Sequence, residues 1–485
     1  MARDQGAYSM SRRSFCGTLA AVLVAPGIAI AQAARARRRR TIVRQLVVAL
    51  SLVFALGMAD IAFSLPSDLD PDFGAGGIAI LSQFGAIPGV PTTPPTLFFR
   101  PGLVAIAVQP DGKSVLGVGV DRCVPPMPLS ASCSLAYSAL LRYNPDGSVD
   151  AGFGTNGIVT ILATPSDFGI LALLVQTDGK ILMETESHPG YMDNGLKLLR
   201  FDSSGAPDAQ FGNAGTVIVE QVEPVFPSVA RALLQQSDGK LLVGVMPTVP
   251  FGSPPSIGVI RLNLDGSLDP TYGSSGIALL SIAAGASLTT ASLQSDGKLV
   301  LAGTFDYGQT GYPIGVFVAR LNANGTPDDT FGASNGVVLT SFTIAATNKF
   351  SVAVPLGVTQ HAGGKLLVAG TLQTLPEQGL QLALLQLNAD GTLDSTFGTL
   401  SRIVAPAGSI TSVAAAAGPG DGYTVFAGWG RDTVVSRLAP DGSPDPGFGD
   451  CGAKDFANTA PGLVRALGVQ SDGKVLVGLS LPTLD

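Results

Sequence analysis

The sequence predicts an all-β protein, a seven-bladed β-propeller of four-stranded blades in which one blade is closed by both chain ends. Three observations lead to this prediction. The composition is 46% hydrophobic and only 13% charged, which excludes intrinsic disorder. Aspartate accounts for 31 of the 36 acidic residues, and aspartate favours turns over helix interiors. Three linked signatures also recur along residues 60–485, as in repeat architectures.

The first signature is Asp-x-x-Phe-Gly, with Tyr replacing Phe in one copy. Phe73 and Phe448 belong to the first and last copies and lie six repeats apart, which gives a mean period of 62.5 residues. Such a period is long enough for four short strands and their turns. The seven copies begin at Asp70, Asp150, Asp208, Asp269, Asp328, Asp394 and Asp445.

The other two signatures flank apolar segments. Gln-x-Asp-Gly-Lys precedes one apolar run, and Arg-x-Asn-x-Asp-Gly-Ser follows another, as in Arg142–Ser148, Arg261–Ser267 and Arg437–Ser443. Clear copies of the lysine signature are Gln109–Lys113, Gln176–Lys180, Gln236–Lys240, Gln294–Lys298 and Gln470–Lys474. Degenerate copies are Gln360–Lys365 and Asp421–Tyr423.

In the fourth repeat the signatures separate four apolar segments, and we expect each to be a β-strand. Asp-Gly between two such segments is typical of a hairpin with a two-residue type I′ turn, so Asp296 and Gly297 are predicted to form that turn. Four strands in each of seven repeats are typical of a β-propeller. The predicted strands are Gly258–Asn263, Gly276–Ser281, Leu288–Gln294 and Lys298–Gly303.

The two chain ends each carry part of a repeat. After Gln470–Lys474 the sequence has one apolar segment, Val475–Gly478, and lacks the third and fourth strands of its repeat. Asp60–Phe63 and Ile78–Leu81 have the positions of those two strands. We therefore expect both ends to form one blade, since closure removes the free sheet edges of an open ring.

These signatures resemble the delta-60 repeat family of exported bacterial repeats, over about residues 60–485. The resemblance rests on Asp-Gly-Lys before an apolar strand, on Arg-x-Asn-x-Asp-Gly-Ser-x-Asp and on Phe-Gly-x-x-Gly. It implies an exported, propeller-like protein and no particular activity. The sequence departs from the pattern at Gln386 in place of Arg, at Tyr423 in place of Lys, and at Leu400–Arg402, where a glycine is expected.

The repeated polar residues are expected to be structural, because catalytic residues occur once and these recur. An arginine stands eight residues before the signature aspartate in five repeats, as in Arg142 and Asp150, and we expect these residues to form ion pairs. Gln386 replaces one arginine and is expected to donate a hydrogen bond to Asp394. The signature aromatic residues, such as Phe153, are expected to pack between blades.

No cofactor, metal site or enzyme motif is predicted. Calcium is the alternative at Asn144–Asp150, where oxygen-bearing side chains alternate, but we expect Asx turns there. The sequence has two histidines, His188 and His361, without a matching nucleophile. It also lacks a phosphate-binding loop, a zinc-ligand spacing and a Gly-x-Ser-x-Gly motif.

Residues 1–59 differ from the rest and are predicted to direct export. They hold nine Arg, no Lys and one acid. Residues 11–34 resemble a twin-arginine signal, and residues 35–59 resemble a secretory signal; only one of the two is expected to act. The alternative is a membrane hairpin, which would leave the arginines of residues 35–40 outside, against the positive-inside rule. We expect a periplasmic or secreted bacterial protein.

The body of the chain is acidic. Residues 60–485 carry 20 basic and 35 acidic residues, a net charge of −15. Because such a surface repels phosphate backbones, nucleic acid is not an expected partner. Membrane contact is expected only through the N-terminal region, and we expect a monomer.

Cys123 and Cys133 lie ten residues apart in a Pro/Ser-rich insertion. In an exported protein this spacing predicts a local disulfide, with two unpaired thiols as the alternative. Cys451 stands alone in the sequence and is expected to be unpaired.

Non-repeated residues are the candidates for function, because they lie in the variable loops that follow the Asp-Gly-Lys strands and emerge on one face of a propeller. We expect this face to bind an unidentified protein or cell-envelope ligand without catalysis. The alternatives are a hydrolase or lactonase with acids in the central channel, and a purely structural cell-surface module. The candidate binding residues are His188, Tyr191, Asp193, Asp306, Tyr307, Tyr312, Trp429 and Arg431.

Overall fold

The structure is a computed structural model, and its described residues form strands and turns without any helix. None of these residues belongs to a helix with the length and apolar character needed to cross a membrane. The described residues are 70–74, 79, 98–123, 133–162, 167–187, 195–219, 226–248, 256–283, 285–305, 315–333, 335–340, 351–361, 363–374, 380–397, 402–404, 410–417, 423–429, 432–449, 453–455, 463–470 and 474–480.

The strands of the described residues form six four-stranded sheets and one two-stranded sheet, numbered here in chain order. Sheet 1 contains β1 (Phe98–Val108), β2 (Ser114–Cys123), β3 (Cys133–Tyr143) and β4 (Ile158–Leu162). Sheet 2 contains β5 (Asp167–Val175), β6 (Ile181–Ser187), β7 (Gly195–Phe201) and β8 (Thr216–Val219). Sheet 3 contains β9 (Phe226–Gln235), β10 (Leu241–Thr248), β11 (Ser256–Leu262) and β12 (Ile277–Ser281).

The remaining sheets follow the same order. Sheet 4 contains β13 (Ser287–Leu293), β14 (Leu299–Phe305), β15 (Gly315–Leu321) and β16 (Val337–Thr340). Sheet 5 contains β17 (Ser351–Gln360), β18 (Leu366–Thr374), β19 (Leu380–Leu387) and β20 (Arg402–Val404). Sheet 6 contains β21 (Ile410–Ala417), β22 (Tyr423–Trp429), β23 (Asp432–Leu438) and β24 (Ala453–Asp455). Sheet 7 contains β25 (Leu463–Val469) and β26 (Val475–Ser480).

Each four-stranded sheet is an antiparallel meander, in which strands consecutive in sequence are hydrogen-bonded neighbours. The fourth strand is short, three to five residues, so each sheet exposes only a short edge. The first strand of each sheet contacts the first strand of the next, from β1 to β25, and β25 contacts β1. The all-β prediction and the four-stranded repeat are therefore confirmed.

The strands expected for the fourth repeat are present, but they belong to two different sheets. β11 and β12 complete sheet 3, whereas β13 and β14 begin sheet 4. The sequence period shows how often strands recur, but it does not show which neighbours share hydrogen bonds. Each sheet therefore begins with the strand that precedes the Asp-Gly-Lys turn.

The predicted type I′ turn at Asp296 and Gly297 is wrong. Gln294 pairs with Lys298 through its N–H, and its carbonyl accepts a hydrogen bond from the Gly297 N–H, so the loop has three residues. Gly297 has a positive φ of 82°, whereas Asp296 does not have a positive φ, and a type I′ turn needs two. A three-residue hairpin with glycine in the left-handed region explains the requirement for Gly at this position.

The apolar core lies between the faces of successive sheets. One cluster joins Leu198 and Phe211 of sheet 2 to Val243 and Leu241 of sheet 3, all with no solvent exposure. Another joins Phe153 to Ile181 of sheet 2. The signature aromatic residue thus packs between sheets, as predicted. Burying such a side chain contributes about 1.5–3 kcal/mol, so the repeated aromatic residue is a main source of cohesion between sheets.

A β-bulge recurs in the first strand of every sheet. The register shifts between Leu103 and Ala105 in β1, and between Val464 and Ala466 in β25. Shifts occur in the first strands of the other five sheets as well. The two strands of sheet 7 therefore have the geometry of the first two strands of a four-stranded sheet.

Candidate functional site

The recurring polar residues meet in one arrangement, which we call the sheet junction: the signature Lys, Arg, Asp and aromatic residue of one sheet, with a turn carbonyl of the next. In sheet 3, Asp269 Oδ2 lies 2.8 Å from both Arg261 Nε and Lys240 Nζ. The Arg261 guanidinium stacks over the Tyr272 ring, 4.7 Å from its centre. Its Nη1 donates to the Ala323 carbonyl of sheet 4 at 2.9 Å. One arginine thus binds its own sheet and the next.

Local chain geometry brings these side chains together. The Asp269 N–H donates to the Arg261 carbonyl at 2.9 Å, so the eight-residue spacing closes the loop between the third and fourth strands. The adjacent Gly266 approaches Phe211 of sheet 2, and a Cβ at Gly266 would lie 2.8 Å from the Phe211 ring. With a φ of 85° as well, only glycine fits at this contact between sheets.

The junction recurs in most of the other sheets. Arg–Asp pairs join Arg142 to Asp150, Arg200 to Asp208, Arg320 to Asp328 and Arg437 to Asp445. Lys–Asp pairs join Lys113 to Asp150, Lys180 to Asp208, Lys298 to Asp328 and Lys365 to Asp394. Gln386 donates to Asp394 at 2.6 Å. The predicted ion pairs and the predicted glutamine hydrogen bond are therefore present.

The junction aspartates are held in the ionised form. Hydrogen bonds from Lys240 and Thr271 hold the pKa of Asp269 well below its usual range. Burial opposes ionisation of Asp150, but hydrogen bonds from Lys113 and Arg142 outweigh it and lower its pKa. A general acid at neutral pH needs a raised pKa. The junction is therefore suited to holding sheets together rather than to proton transfer.

The segment Asn144–Asp150 contains the expected Asx-turn hydrogen bonds. Asp146 Oδ1 accepts hydrogen bonds from the Ser148 N–H at 2.9 Å and from its hydroxyl at 2.6 Å. These bonds also lower the pKa of Asp146. Within the described ranges, no group of three or more His, Cys, Asp or Glu side chains is placed to hold a metal ion.

The chain ends meet at contacts of the same kind. Lys474 Nζ lies 2.6 Å from Asp70 Oδ2. The Gln470 side-chain amide donates to the Gly112 carbonyl at 3.5 Å, like Gln109, whose amide donates to the carbonyl of Gly179. Residues near position 470 thus contact both the start of the described chain and sheet 1.

The N-terminal segment also docks on sheet 1. The Gly74 N–H donates to the Asp146 carbonyl at 2.7 Å, as the Gly154 N–H does to the Ser204 carbonyl in the next sheet. Ala79 packs against the core of sheet 1 that includes Tyr137. Eight residues before Asp70 the sequence has Ala62 rather than Arg, so the arginine of the other junctions is missing there.

Most of the sequence-predicted binding residues lie outside the described residues. These are His188, Tyr191, Asp193, Asp306, Tyr307, Tyr312 and Arg431. The exception is Trp429, which is the last residue of β22. Its backbone pairs with that of Asp432 in β23.

The predicted disulfide partners face each other in the backbone register. Cys123 is the last residue of β2 and Cys133 the first of β3, and the two are direct Cα partners at the end of the antiparallel ladder. Direct antiparallel partners have Cα atoms about 4.5–5.5 Å apart, within the range of about 4.4–6.8 Å that a disulfide spans.

A shallow groove of about 550 Å³ lies where sheet 2 meets sheet 3. Its lining includes Thr216 and Ile218 of β8 and Asp265 and Ser267 of the sheet 3 turn. None of the described residues that line it belongs to the sequence-predicted binding set.

Two features of the junction were missed by the sequence analysis. The lysine of Asp-Gly-Lys binds the signature aspartate from 28 to 37 residues away, a spacing that varies between repeats. The arginine also reaches a backbone carbonyl of the next sheet, as Arg261 does at Ala323. The Lys–Asp contact could have been inferred because the two residue types recur together in the repeats. The arginine contact could not, because every residue has a backbone carbonyl and the residue type does not mark the acceptor.

Solved structures similar to this chain include proteins named as enzymes and a protein named Sqt1. An α-L-arabinofuranosidase from Fusarium graminearum has 12% identity and a TM-score of 0.42, covering 66% of this chain and 90% of its own. Prolyl oligopeptidase B from Galerina marginata has 11% identity and a TM-score of 0.39, covering 78% and 46%. Sqt1 from Chaetomium thermophilum has 13% identity and a TM-score of 0.39, covering 78% and 96%. No curated protein matches the sequence.

A family model described as "Domain of unknown function (DUF5122) beta-propeller" matches five segments of the chain. The match supports a propeller repeat but not the delta-60 name, which remains a resemblance. The matched segments are residues 137–153, 236–272, 294–331, 363–397 and 420–448. They contain the sheet-junction residues of sheets 3, 4, 5 and 6. The five matched segments are similar to the repeats of this β-propeller family.

Proposed function

We propose that this chain is an exported seven-bladed β-propeller, closed by both chain ends, that binds a protein or cell-envelope ligand through one face without catalysis. The main support for this proposal is that repeated and non-repeated sequence lie in different connections between strands. The signatures occupy the turns after the first and third strands of a sheet, whereas the connections after the second and fourth strands vary. Because consecutive strands are antiparallel, the two kinds of connection lie at opposite ends of each sheet.

Closure is supported by the repetition of junction contacts at the chain ends. Lys474 binds Asp70 as Lys240 binds Asp269 within sheet 3. In the proposed ring, β25 and β26 are the first two strands of the seventh blade. The N-terminal segments around residues 60–63 and 78–81 supply the other two.

A binding role is favoured over the hydrolase alternative by the composition of the first strands. In a propeller these strands line the central channel, and a channel hydrolase needs carboxylates there. Among the described first strands β1, β5, β9, β13, β17, β21 and β25, the sequence has one carboxylate, Asp167 at the start of β5. The variable loops instead supply histidine, tyrosine, tryptophan and charged side chains, which suit recognition.

The binding proposal is tested with residues 60–485 immobilised and incubated with a solubilised cell-envelope extract. We expect the wild-type protein to retain a ligand from the extract. A loop variant carrying Tyr191→Ala, Tyr307→Ala and Trp429→Ala should not retain it. The matched control carries Asp111→Asn, Asp178→Asn and Asp238→Asn at the signature turns and should retain it.

Three results would contradict the binding proposal. Equal retention by all three proteins excludes the loop face. Turnover in a panel of glycoside, ester and lactone substrates supports the hydrolase alternative. If neither a retained ligand nor substrate turnover is detected, the result supports the structural-module alternative.

The export proposal is tested separately by N-terminal sequencing of secreted protein. We expect the mature chain to begin near Asp60, or near residues 31–33 if the twin-arginine segment acts. An intact chain with residues 46–59 embedded in the membrane contradicts cleavage and supports the anchor.

A further inference from the structure

Four equivalent glutamines in the Asp-Gly-Lys turns each carry a buried oxygen that no described donor reaches. They are Gln109, Gln176, Gln236 and Gln294, whose exposure is 6%, 3%, 8% and 5%. The Oε1 atom of each is fully buried and lacks a hydrogen-bond partner among the described residues. A buried acceptor without a donor costs about 1–3 kcal/mol. Four such costs at equivalent positions require an explanation.

The orientation of two of these four amides is fixed by a second contact. Gln109 Nε2 donates to the Gly179 carbonyl of sheet 2 at 3.4 Å, and Gln236 Nε2 donates to the Ala323 carbonyl of sheet 4 at the same distance. Exchanging nitrogen and oxygen would place Oε1 against a carbonyl oxygen, which is repulsive. The oxygen therefore points away from that carbonyl, and it still needs a donor.

Several hydrogen-bond donors around Gln109 bind other acceptors. The Gln109 N–H donates to the Lys113 carbonyl, and the Gly112 N–H donates to the Gln109 carbonyl. Lys113 and Arg142 donate to Asp150. These donors are thus engaged with acceptors other than Gln109 Oε1.

Gly179, next to the Gln109 amide nitrogen, is loosely packed. A Cβ placed on Gly179 would come no closer than 3.6 Å to Ser203 and 3.9 Å to Gln109 Nε2. At the tightly packed Gly212, by contrast, a Cβ would lie 2.2 Å from the Thr216 carbonyl oxygen. The side of the Gln109 amide that faces Gly179 is therefore less tightly packed than the surroundings of Gly212.

We infer that each of these four oxygens accepts a hydrogen bond from an ordered water molecule held between neighbouring sheets. Water is the smallest ligand that donates, and buried waters commonly satisfy polar groups of this kind. The inferred waters form a repeated series along the sheet junctions, independent of whether the chain ends close the ring. Each water adds a hydrogen-bonded link to an interface that is otherwise mainly apolar.

The inference is tested by a crystal structure of residues 60–485 at about 1.5 Å resolution. We expect one light atom at about 2.6–3.2 Å from each of the four Oε1 atoms, the usual hydrogen-bond range. A protein donor within that range of Oε1, or an absence of ordered density, would overturn the inference. A crystal grown with rubidium identifies a cation by its anomalous signal, and that result would also overturn it.

Magnetic relaxation dispersion of ¹⁷O-water provides a test in solution, because it counts long-lived internal waters. We expect Gln236→Met to lower the count by one. The matched control is Gln235→Met, because Gln235 Oε1 already accepts a hydrogen bond from the Thr177 N–H at 2.8 Å. This control variant should leave the number of long-lived waters unchanged. Equal counts in the wild type and in Gln236→Met would contradict the assignment. If Gln236→Met fails to fold, Gln176→Met serves as the second variant.

Discussion

Lys474 and Asp70 are separated by about 400 residues in sequence, yet their side chains form an ion pair with 2.6 Å between Nζ and Oδ2. The pair reproduces the Lys–Asp contact found within other sheets, such as Lys298 and Asp328 at 2.8 Å. The Lys474 hydrogen bond is also the largest cause of the lowered pKa of Asp70. This relationship is the main support for a propeller closed by its two chain ends.

Arg320 is predicted to tolerate glutamine better than methionine. Asp328 is 3% exposed and accepts hydrogen bonds from both Arg320 and Lys298. Removing one partner of a buried pair costs about 3–5 kcal/mol. Glutamine keeps a donor, as Gln386 does at Asp394.

We therefore expect Arg320→Met to lower the free energy of unfolding by about 3–5 kcal/mol and Arg320→Gln to lower it by clearly less. Urea denaturation of both variants measures the difference. Equal losses would show that the hydrogen bond to Asp328 contributes nothing beyond packing.

Tyr272→Phe is predicted to stabilise the protein. The Tyr272 side chain is fully buried, and its hydroxyl has no hydrogen-bond partner among the described residues. Burial raises the pKa of this hydroxyl, as expected for an acid whose ionised form lacks solvation. Phe153, Phe211, Phe331, Phe397 and Phe448 occupy the equivalent positions.

Removing the hydroxyl should raise the free energy of unfolding by about 1 kcal/mol, because an unsatisfied buried polar group is lost. Thermal denaturation checks the change, and Phe331→Tyr is the matched reverse variant, which should destabilise. A destabilised Tyr272→Phe would mean that the hydroxyl has a donor or acceptor after all.

Acid is predicted to loosen the sheet junctions. Asp208, Asp269, Asp328 and Asp394 have lowered pKa values in the folded protein. A lowered folded pKa contributes stability that is complete above the unfolded value near 3.9 and is lost as the pH falls through the folded value. The melting temperature should therefore stay level from pH 7 to about 5 and fall below about 4.

The variant Asp269→Asn isolates one group. Its free energy of unfolding should change less steeply with pH below about 4, by up to about 1.4 kcal/mol per pH unit, the value for one proton. An unchanged slope would show that Asp269 does not couple protonation to folding.

Cys123 and Cys133 are predicted to form a disulfide in the exported protein, because they are direct partners at the end of the β2–β3 ladder next to the connection between the two strands. Closing a loop of this size adds about 2–3 kcal/mol. Peptide mapping without reduction should show the linked pair, with Cys451 alkylated as a free thiol. Two alkylated thiols at positions 123 and 133 would contradict the prediction.

Much of the junction could be predicted from sequence because its parts are local. The Arg261–Asp269 pair lies across one turn, and a fixed spacing of eight residues reveals it. The lysine contact was harder to predict, because the strands β10 and β11 separate Lys240 from Asp269 in the sequence. Arg261 also donates to the backbone carbonyl of Ala323. Which carbonyl accepts this bond depends on how the sheets pack, and no residue type in the sequence identifies it.

The strand phase and the turn type were also beyond the sequence pattern. A periodic sequence has no defined starting point, so assigning β12 and β13 to different sheets requires the hydrogen bonds themselves. Asp-Gly occurs in both two-residue and three-residue hairpins. The backbone pairing of Gln294 with Lys298 decides between them.

Carbodiimide cross-linking of intact residues 60–485 tests the closure of the ring most directly. The reagent joins a carboxylate to a contacting amine as an amide, with loss of water and no added spacer. Lys113 and Asp150 are the internal control, because their ion pair has 3.0 Å between Nζ and Oδ2 and less exposed side chains than Lys474 and Asp70. Mixing ¹⁴N- and ¹⁵N-labelled protein distinguishes links within one chain from links between chains. If the chain ends close the ring, we expect a peptide linking Asp70 to Lys474 within single chains of the monomer. A clear Lys113–Asp150 link without an Asp70–Lys474 link would contradict closure by the chain ends.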